Sequence, residues 1–309
     1  MLDLTEIATG LRFPEGPIAF PDGSIVLVEI ARGTLTRITA SGKIEVIADL
    51  GGGPNGAALG PDGKIYVCNN GGFEWHNHGG ILMPGEQPAD YSGGRIEQVD
   101  PDTGAVKILY RSCDGVPLRG PNDLVFDRSG GFYFTDHGKI RHRERDRTGV
   151  FYARTDGSLI KEIIFPLEAP NGVGLSPDED TLYVAETFTG RLWAFPLAGP
   201  GEVRRADGPT GGVFPGQLVA GLPGLQLFDS LAVDGEGNIC VATLVNGGIT
   251  SISPDGAKIT HYAAPDLLTT NICFGGADMT TAYLTLSSTG KLVKARWPTA
   301  GLKLNFLNK

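Results

Sequence analysis

The chain predicts an all-β fold, a six-bladed β-propeller, and three observations carry that reading. One pattern recurs six times: a polar residue opens a short apolar strand, a turn rich in Asp and Gly follows, and a second apolar strand returns. The openers are Glu15, Asn55, Asn122, Asn171, Asp229 and Asn271, spaced 40 to 67 residues apart; a four-stranded blade takes roughly 40–50 residues. No long apolar stripe at helical spacing interrupts the pattern, and 46 glycines in 309 residues punctuate short strands.

Each repeat reads as follows. Phe13-Pro14-Glu15-Gly16-Pro17 leads through Pro21-Asp22-Gly23 to a strand at 25–29. Gly53-Pro54-Asn55-Gly56 leads to strands at 57–59, 64–68, 94–99 and 105–110, the last two joined by the hairpin turn 100–104. Gly120-Pro121-Asn122-Asp123, Ala169-Pro170-Asn171-Gly172, Leu227-Phe228-Asp229-Ser230 and Thr269-Thr270-Asn271-Ile272 open the remaining four, with return strands at 132–136, 181–186, 239–243 and 282–285. An outer strand precedes every opener, at 44–48, 106–110, 159–165, 217–220 and 258–262. For Glu15 it is 4–8, at the start of the chain. The N-terminus therefore supplies the outer strand of the last blade and closes the ring, so that this edge is not left unpaired. Units that need neighbours to bury their faces make residues 1–309 one domain. Residues after about 297 form a tail, with 302–304 a candidate further edge strand.

A net charge of −9 and a pI near 5.1 exclude nucleic acid, which needs a basic footprint, and anionic membrane surfaces. Residues 1–6 lack a basic segment followed by an apolar one, and no run approaches ~18 apolar residues. These features, with Cys68, Cys113, Cys240 and Cys273 too far apart for a zinc or disulfide framework, predict a cytoplasmic protein with buried reduced thiols.

Strands a and b of a blade are antiparallel, so the end of b returns to the level where a begins. Glu29, Asn69, Asp136, Glu186 and Thr243 therefore join the openers at one channel mouth, and the b-to-c loops project from it. The loop 70–93 carries Phe73, Glu74, Trp75, His76, His78, Met83 and Tyr91 and is expected to be a lid. The loop 137–149 mixes Lys139, Arg141, His142, Arg143, Arg145 and Arg147 with Glu144 and Asp146, and reads as solvated surface or an acidic-substrate patch.

Two carboxylates and four amides facing one axis call for a cation. Glu15 and Asp229 bring charge, while Asn171 and Asn122 bring neutral oxygens. All-oxygen ligands suit calcium foremost, with magnesium, manganese or zinc as alternatives. Asn and Asp also open strands simply because they satisfy turn backbone, a reading that fits Asn55 and Asn271 as well as a site does. Glutamate is a poor turn residue, so Glu15 carries the cation reading best.

The Glu15 segment, Pro121-Asn122-Asp123 with Tyr133-Phe134-Thr135-Asp136, Pro170-Asn171-Gly172 and 271–276 together resemble the senescence-marker-protein/gluconolactonase/luciferin-regenerating-enzyme family over nearly the whole chain. The resemblance implies a six-bladed propeller, one divalent metal in the channel and lactone hydrolysis. It implies Glu15, Asn171 and Asp229 as metal ligands, and Asn122 beside the metal on substrate or water. Several sugar-lactonases of the family read Arg-x-Asn-Asp. Gly120 stands in that arginine's place, with Arg119 one residue off, which points away from gluconolactone itself.

The expected reaction is attack of water on a lactone carbonyl polarised by the metal. Asp229 acts as base, or the water attacks as hydroxide on the cation. His76, His78 or His137 is an alternative base. Asn122, Asn55, Asn271 and His137 are the candidate substrate contacts. The rival readings are a non-catalytic calcium- or protein-binding propeller and a strictosidine-synthase-like condensing enzyme. A serine esterase is excluded by the lack of a Gly-x-Ser-x-Gly elbow.

Overall fold

The computed structural model describes residues 2–204 and 216–309. Among them there is no helix, and none long and apolar enough to cross a membrane. Six antiparallel sheets carry four main strands each, labelled a to d from the channel outward. Blade I is Pro14–Ala19, Ile25–Glu29, Thr34–Ile38 and Ile44–Asp49. Blade II is Pro54–Leu59, Ile65–Asn69, Arg95–Val99 and Val106–Tyr110. Blade III is Pro121–Phe126, Gly131–Asp136, Thr148–Arg154 and Ile160–Leu167. Blade IV is Pro170–Leu175, Thr181–Glu186, Arg191–Gly199 and Gln217–Gly221. Blade V is Leu227–Val233, Ile239–Leu244, Gly248–Ile252 and Ile259–Ala263. Blade VI is Thr269–Gly275, Thr281–Leu286, Lys291–Arg296 and, from the other end of the chain, Thr5–Thr9.

The expected closure is present: Thr5 pairs with Lys294 and Thr9 with Lys291. The a strands adjoin in cyclic order, blade VI lying against blade I. The cores lie between blades. Tyr66, Cys68 and Ile96 of blade II pack on Leu124, Phe132 and Phe134 of blade III. Tyr133, Val150 and Ile164 of blade III meet Val173, Leu182 and Phe195 of blade IV. The joint between blades VI and I has the same form, with Cys273 and Leu292 against Ile25 and Leu27. No blade buries its faces alone, which is the physical reason the repeat must close. All four cysteines are buried and free.

The tail is not an edge strand. Gly301 bridges to Asp234 and Leu302 N–H donates to the Val233 carbonyl (3.1 Å). Asn305 Nδ2 donates to the Phe126 carbonyl (3.1 Å), and Phe306 stands edge-on to Phe126. Val233 and Phe126 end their a strands, so the tail crosses the end of the channel away from the openers. There Leu302, Leu304 and Leu307 help line a cavity of about 110 Å³. The ends of the a strands form an apolar ring that water would otherwise meet, and the alternating leucines of the tail cover it.

Candidate metal and active site in the channel

In every blade the register of strand a against strand b shifts at the opener: between Glu15 and Ile18, Pro54 and Ala57, Pro121 and Leu124, Pro170 and Val173, Phe228 and Leu231, and Thr269 and Asn271. A bulge re-aims a side chain that regular alternation would direct elsewhere. The approach to two openers is also strained. Phe13 (φ 58°) and Ala169 (φ 55°), each two residues before an opener, sit in the left-handed region. The ring is tight at this level. A Cβ on Gly172 would fall 2.6 Å from Leu231 N, and one on Gly56 2.5 Å from the Asn122 carbonyl, so only glycine lets the blades meet there.

The strand-b residues at the mouth hold these approaches in place. Glu29 accepts from Arg12 N–H (2.7 Å) and Asn69 Oδ1 from Gly53 N–H (2.9 Å). Asp136 accepts from Arg119 and Gly120 N–H (both 2.7 Å), and Glu186 from Glu168 N–H (2.8 Å). They are scaffold for the segments that present the openers.

All six openers are buried. Glu15 Oε2 accepts from Asn271 Nδ2 (2.9 Å) and Gly16 N–H (3.0 Å), so Asn271 steadies the carboxylate. Burial pushes the Glu15 carboxyl up to about 7. Asp229 is raised well above its ordinary value, first by burial and then by the charge of Glu15. Asn171 Nδ2 donates to Thr187 Oγ1 (3.1 Å), which leaves its Oδ1 buried without a donor; Asn122 Oδ1 is buried and without a donor as well. Among the described residues no Lys, Arg or His pairs with Glu15, Asp123 or Asp229.

Mutually repelling carboxylates and orphaned amide oxygens are the donor set of a hard cation, and the residues present fit one. Among the described residues no three His, Cys, Asp or Glu side chains cluster as ligands, so the amide oxygens are essential to the fit.

Asp123 was not among the expected site residues. It is buried, its carboxyl is pushed up to about 7 by burial with a contribution from Glu15, and it lines the cavity below the openers. The signal was available: the residue after the opener is Gly16, Gly56 and Gly172 in three blades, yet a carboxylate in blade III.

The loop 70–93 forms a hairpin, Trp75–His78 with Ile81–Pro84. Its apolar side seats on the mouth, with Trp75 5.1 Å from the Phe13 ring and Leu82 N–H donating to the Ser288 carbonyl (2.9 Å). His76 and His78 lie on its exposed side. His137 is half-buried, 5.6 Å from the Phe188 ring, and burial with the nearby Lys139 charge holds it down near 4, hence neutral.

The reading of 137–149 as solvated fails at Lys139, which is fully buried. Its Nζ donates to Asn70 Oδ1 (3.0 Å) and the Gly72 carbonyl (2.6 Å) and stands 3.8 Å over Phe73, pinning the root of the 70–93 loop to blade III. Residues 142–145 and Arg147 are exposed, and the Arg141–Asp146 and Arg145–Glu168 pairs hold this part of the loop.

Comparison with known proteins agrees with this architecture. Residues 13–288 match the SMP-30/Gluconolactonase/LRE-like region. The chain is 28% identical to a gluconolactonase of Zymomonas mobilis, over 96% of this chain and 81% of the relative. It is 29% identical to the lactonase drp35 of Staphylococcus saprophyticus, over 79% of this chain and 67% of the relative. Among solved structures, a gluconolactonase of Xanthomonas campestris superposes with a TM-score of 0.74 at 22% identity, covering 96% of this chain and 89% of its own. The calcium-binding protein regucalcin of Agrobacterium tumefaciens gives 0.72 at 19%, covering 97% and 94%. With more than half of its length matched, the chain belongs to the SMP-30/gluconolactonase/LRE-like family.

Proposed function

We propose that the protein is a divalent-cation-dependent lactonase whose residues 1–309 act as one domain around the channel. The observation that carries the reading is the pairing of two uncompensated buried carboxylates with two buried amide oxygens that lack donors. Glu15, Asn171 and Asp229 would hold the ion. Calcium is favoured by the all-oxygen set and by the regucalcin likeness. The bound ion supplies polarisation of the ester carbonyl and stabilisation of the charge that develops on its oxygen.

The residues of the chain do the rest. Asn122 presents its free Oδ1 to the attacking water or the ring. Asp229 takes the proton from the water as its oxygen bonds to the carbonyl carbon. The ring C–O bond breaks and that proton passes to the departing alkoxide, so lactone and water leave as one hydroxy acid. Neutral His137 is a second acceptor at the rim. Asn55 lies at the same level as a further substrate contact, and Asn271 acts through Glu15.

The test is hydrolysis of a lactone panel, followed by acid release, before and after chelation with metal analysis. Loss of turnover on stripping and recovery with calcium support the reading. Full-rate hydrolysis by verified metal-free protein overturns it, and metal binding without turnover of any lactone favours the non-catalytic rival.

A further inference from the structure

The mouth is not evenly polar. On the loops around blades IV to VI, Phe188, Leu225, Val245 and Leu267 are 37–71% exposed. These loops form one sector. Leu222 N–H donates to the Gly190 carbonyl (3.4 Å), Asn246 Nδ2 to Gln226 Oε1 (3.4 Å), and Val245 N–H to the Leu267 carbonyl (2.8 Å). The sector continues directly into the Asp229 opener, four residues beyond Leu225.

Its buried polar groups are already satisfied. Asp266 accepts from Leu268 N–H, Ser288 Oγ, Thr289 N–H and Thr289 Oγ1. Thr187 serves Asn171 and Thr189 serves Glu186. Beside the exposed Asn246, the large side chains that face outward here are apolar. On the blade III side, a Cβ at position 120 would fall 2.6 Å from the Gly138 carbonyl, so no side chain can reach from there toward sugar hydroxyls.

Val245 adds an independent observation. It is β-branched, exposed and held at φ 71°, beside Asn246 and Gly247, residue types that adopt this conformation at little cost. Such strain at a site rim persists where the side chain itself is used.

We propose that the substrate carries an alkyl or aryl arm beside its lactone ring, and that Phe188, Leu225, Val245 and Leu267 receive this arm at the mouth. The ring part rests on the lactonase reading; the arm part does not.

The test uses calcium-loaded protein and 2-alkylcyclopentanones from ethyl to hexyl, which keep a ring and carbonyl but have no bond to hydrolyse. Calorimetric affinity should rise about twofold per methylene, half of the roughly fourfold expected for full burial falling short because the rim stays partly wet. Val245→Asn should raise the melting temperature by about 2–4 °C through relief of strain, yet flatten the chain-length slope, as should Phe188→Ala. No binding, a flat wild-type slope, or a slope that both variants preserve would overturn the proposal. In parallel, γ-lactones of the same chain lengths and gluconolactone are assayed for turnover. Hydrolysis favouring gluconolactone, with a flat ketone slope, sinks the arm and keeps the lactonase. A steep ketone slope with no lactone turned over sinks the lactonase and keeps the apolar rim.

Discussion

The two ends of the channel are built to opposite rules. At the end away from the openers, strands a and b are joined by tight turns whose own side chains satisfy the backbone. Asp22 accepts from Ser24 N–H (2.9 Å), Asp127 from Ser129 N–H (2.8 Å), Asp234 from Glu236 and Asn238 N–H (3.0 and 2.9 Å) and Asp278 from Thr280 N–H (3.0 Å). The tail then seals that end. At the mouth, by contrast, buried acceptors lack donors, carboxylates crowd without counter-charges and apolar side chains face solvent. The blades repeat the same strands at both ends, so the difference comes from loops and openers alone. It teaches that stability is concentrated at the sealed end and between blades, while the mouth carries costs that only a ligand repays. Substitutions at the two ends should therefore separate activity from stability.

The sharpest separation is expected at Asp229. Asp229→Ala should lower lactone turnover by about 10²–10⁴-fold, the usual worth of a general base, before any loss of the cation is counted. The metal-free protein should be no less stable, because a buried carboxylate that repels Glu15 has been removed. Asp229→Asn keeps an oxygen ligand and loses the base. Turnover that survives in Asp229→Asn would relieve Asp229 of the base role, and a large drop in the melting temperature of the metal-free Ala variant would show that the mouth, too, is structural.

Asp123→Asn is the next step down. It removes a third negative charge beside Glu15 while leaving the proposed ligands Glu15 and Asp229 in place, so calcium affinity by calorimetry should fall about 10–100-fold, as for a supporting residue of a metal site. Cation binding at Glu15 should be coupled to protons. Glu15 has a raised native pKa, about 7 against 4.5, so the ion must displace a proton at pH 6 that is already gone at pH 8. Affinity should climb across that interval; a pH-independent affinity would place the ion away from Glu15.

At the sealed end the order of effects reverses. Deleting 302–309 uncovers the cavity lining and removes the half-buried Leu302, Phe306 and Leu307. At half the ~1.5–3 kcal/mol of a fully buried side chain each, the loss of three is about 2–4.5 kcal/mol. Thermal melting should report it, with kcat changed less than about twofold. Loss of turnover equal to that of Asp229→Ala would mean that the tail shapes the site after all.

Much of this was legible in the sequence because a radial repeat writes its pattern six times. The openers, the closing strand before Glu15 and the turns are local signals that each copy reinforces. Asp123 escaped because its role depends on its neighbours across the ring, though its departure from glycine was visible. The tail's path escaped because Leu302-Lys303-Leu304 reads as a strand, and only the assembled ring offers the apolar surface that the tail covers. Lys139 was misread because a loop of alternating charges looks solvated, and no pattern within it distinguishes the one cation that turns inward.

Lys139 also gives the smallest and most diagnostic expected effect. Burial lowers its pKa to about 7, from 10.5 in the unfolded chain. Between those values the unfolded chain binds more protons than the native one, so stability from this residue rises with pH through that window and is lost as pH falls through about 7. Lys139→Met keeps the stem that packs in the site and removes the ammonium, so the variant's melting temperature should depend less on pH between 7 and 9 than the wild type's. The loss of two hydrogen bonds at the root of the 70–93 loop, to Asn70 and Gly72, offsets the relief of burying a charge. The net change at pH 7 should therefore be small, about 1 kcal/mol in either direction. The hairpin of this loop keeps its apolar seat on Phe13 and its bond to Ser288. Calcium affinity should accordingly be unchanged and kcat/KM should shift only a few-fold. An undiminished pH slope in Lys139→Met would assign the titration elsewhere at the mouth, and lost calcium binding would mean that the root of the 70–93 loop and the openers are one structure rather than two.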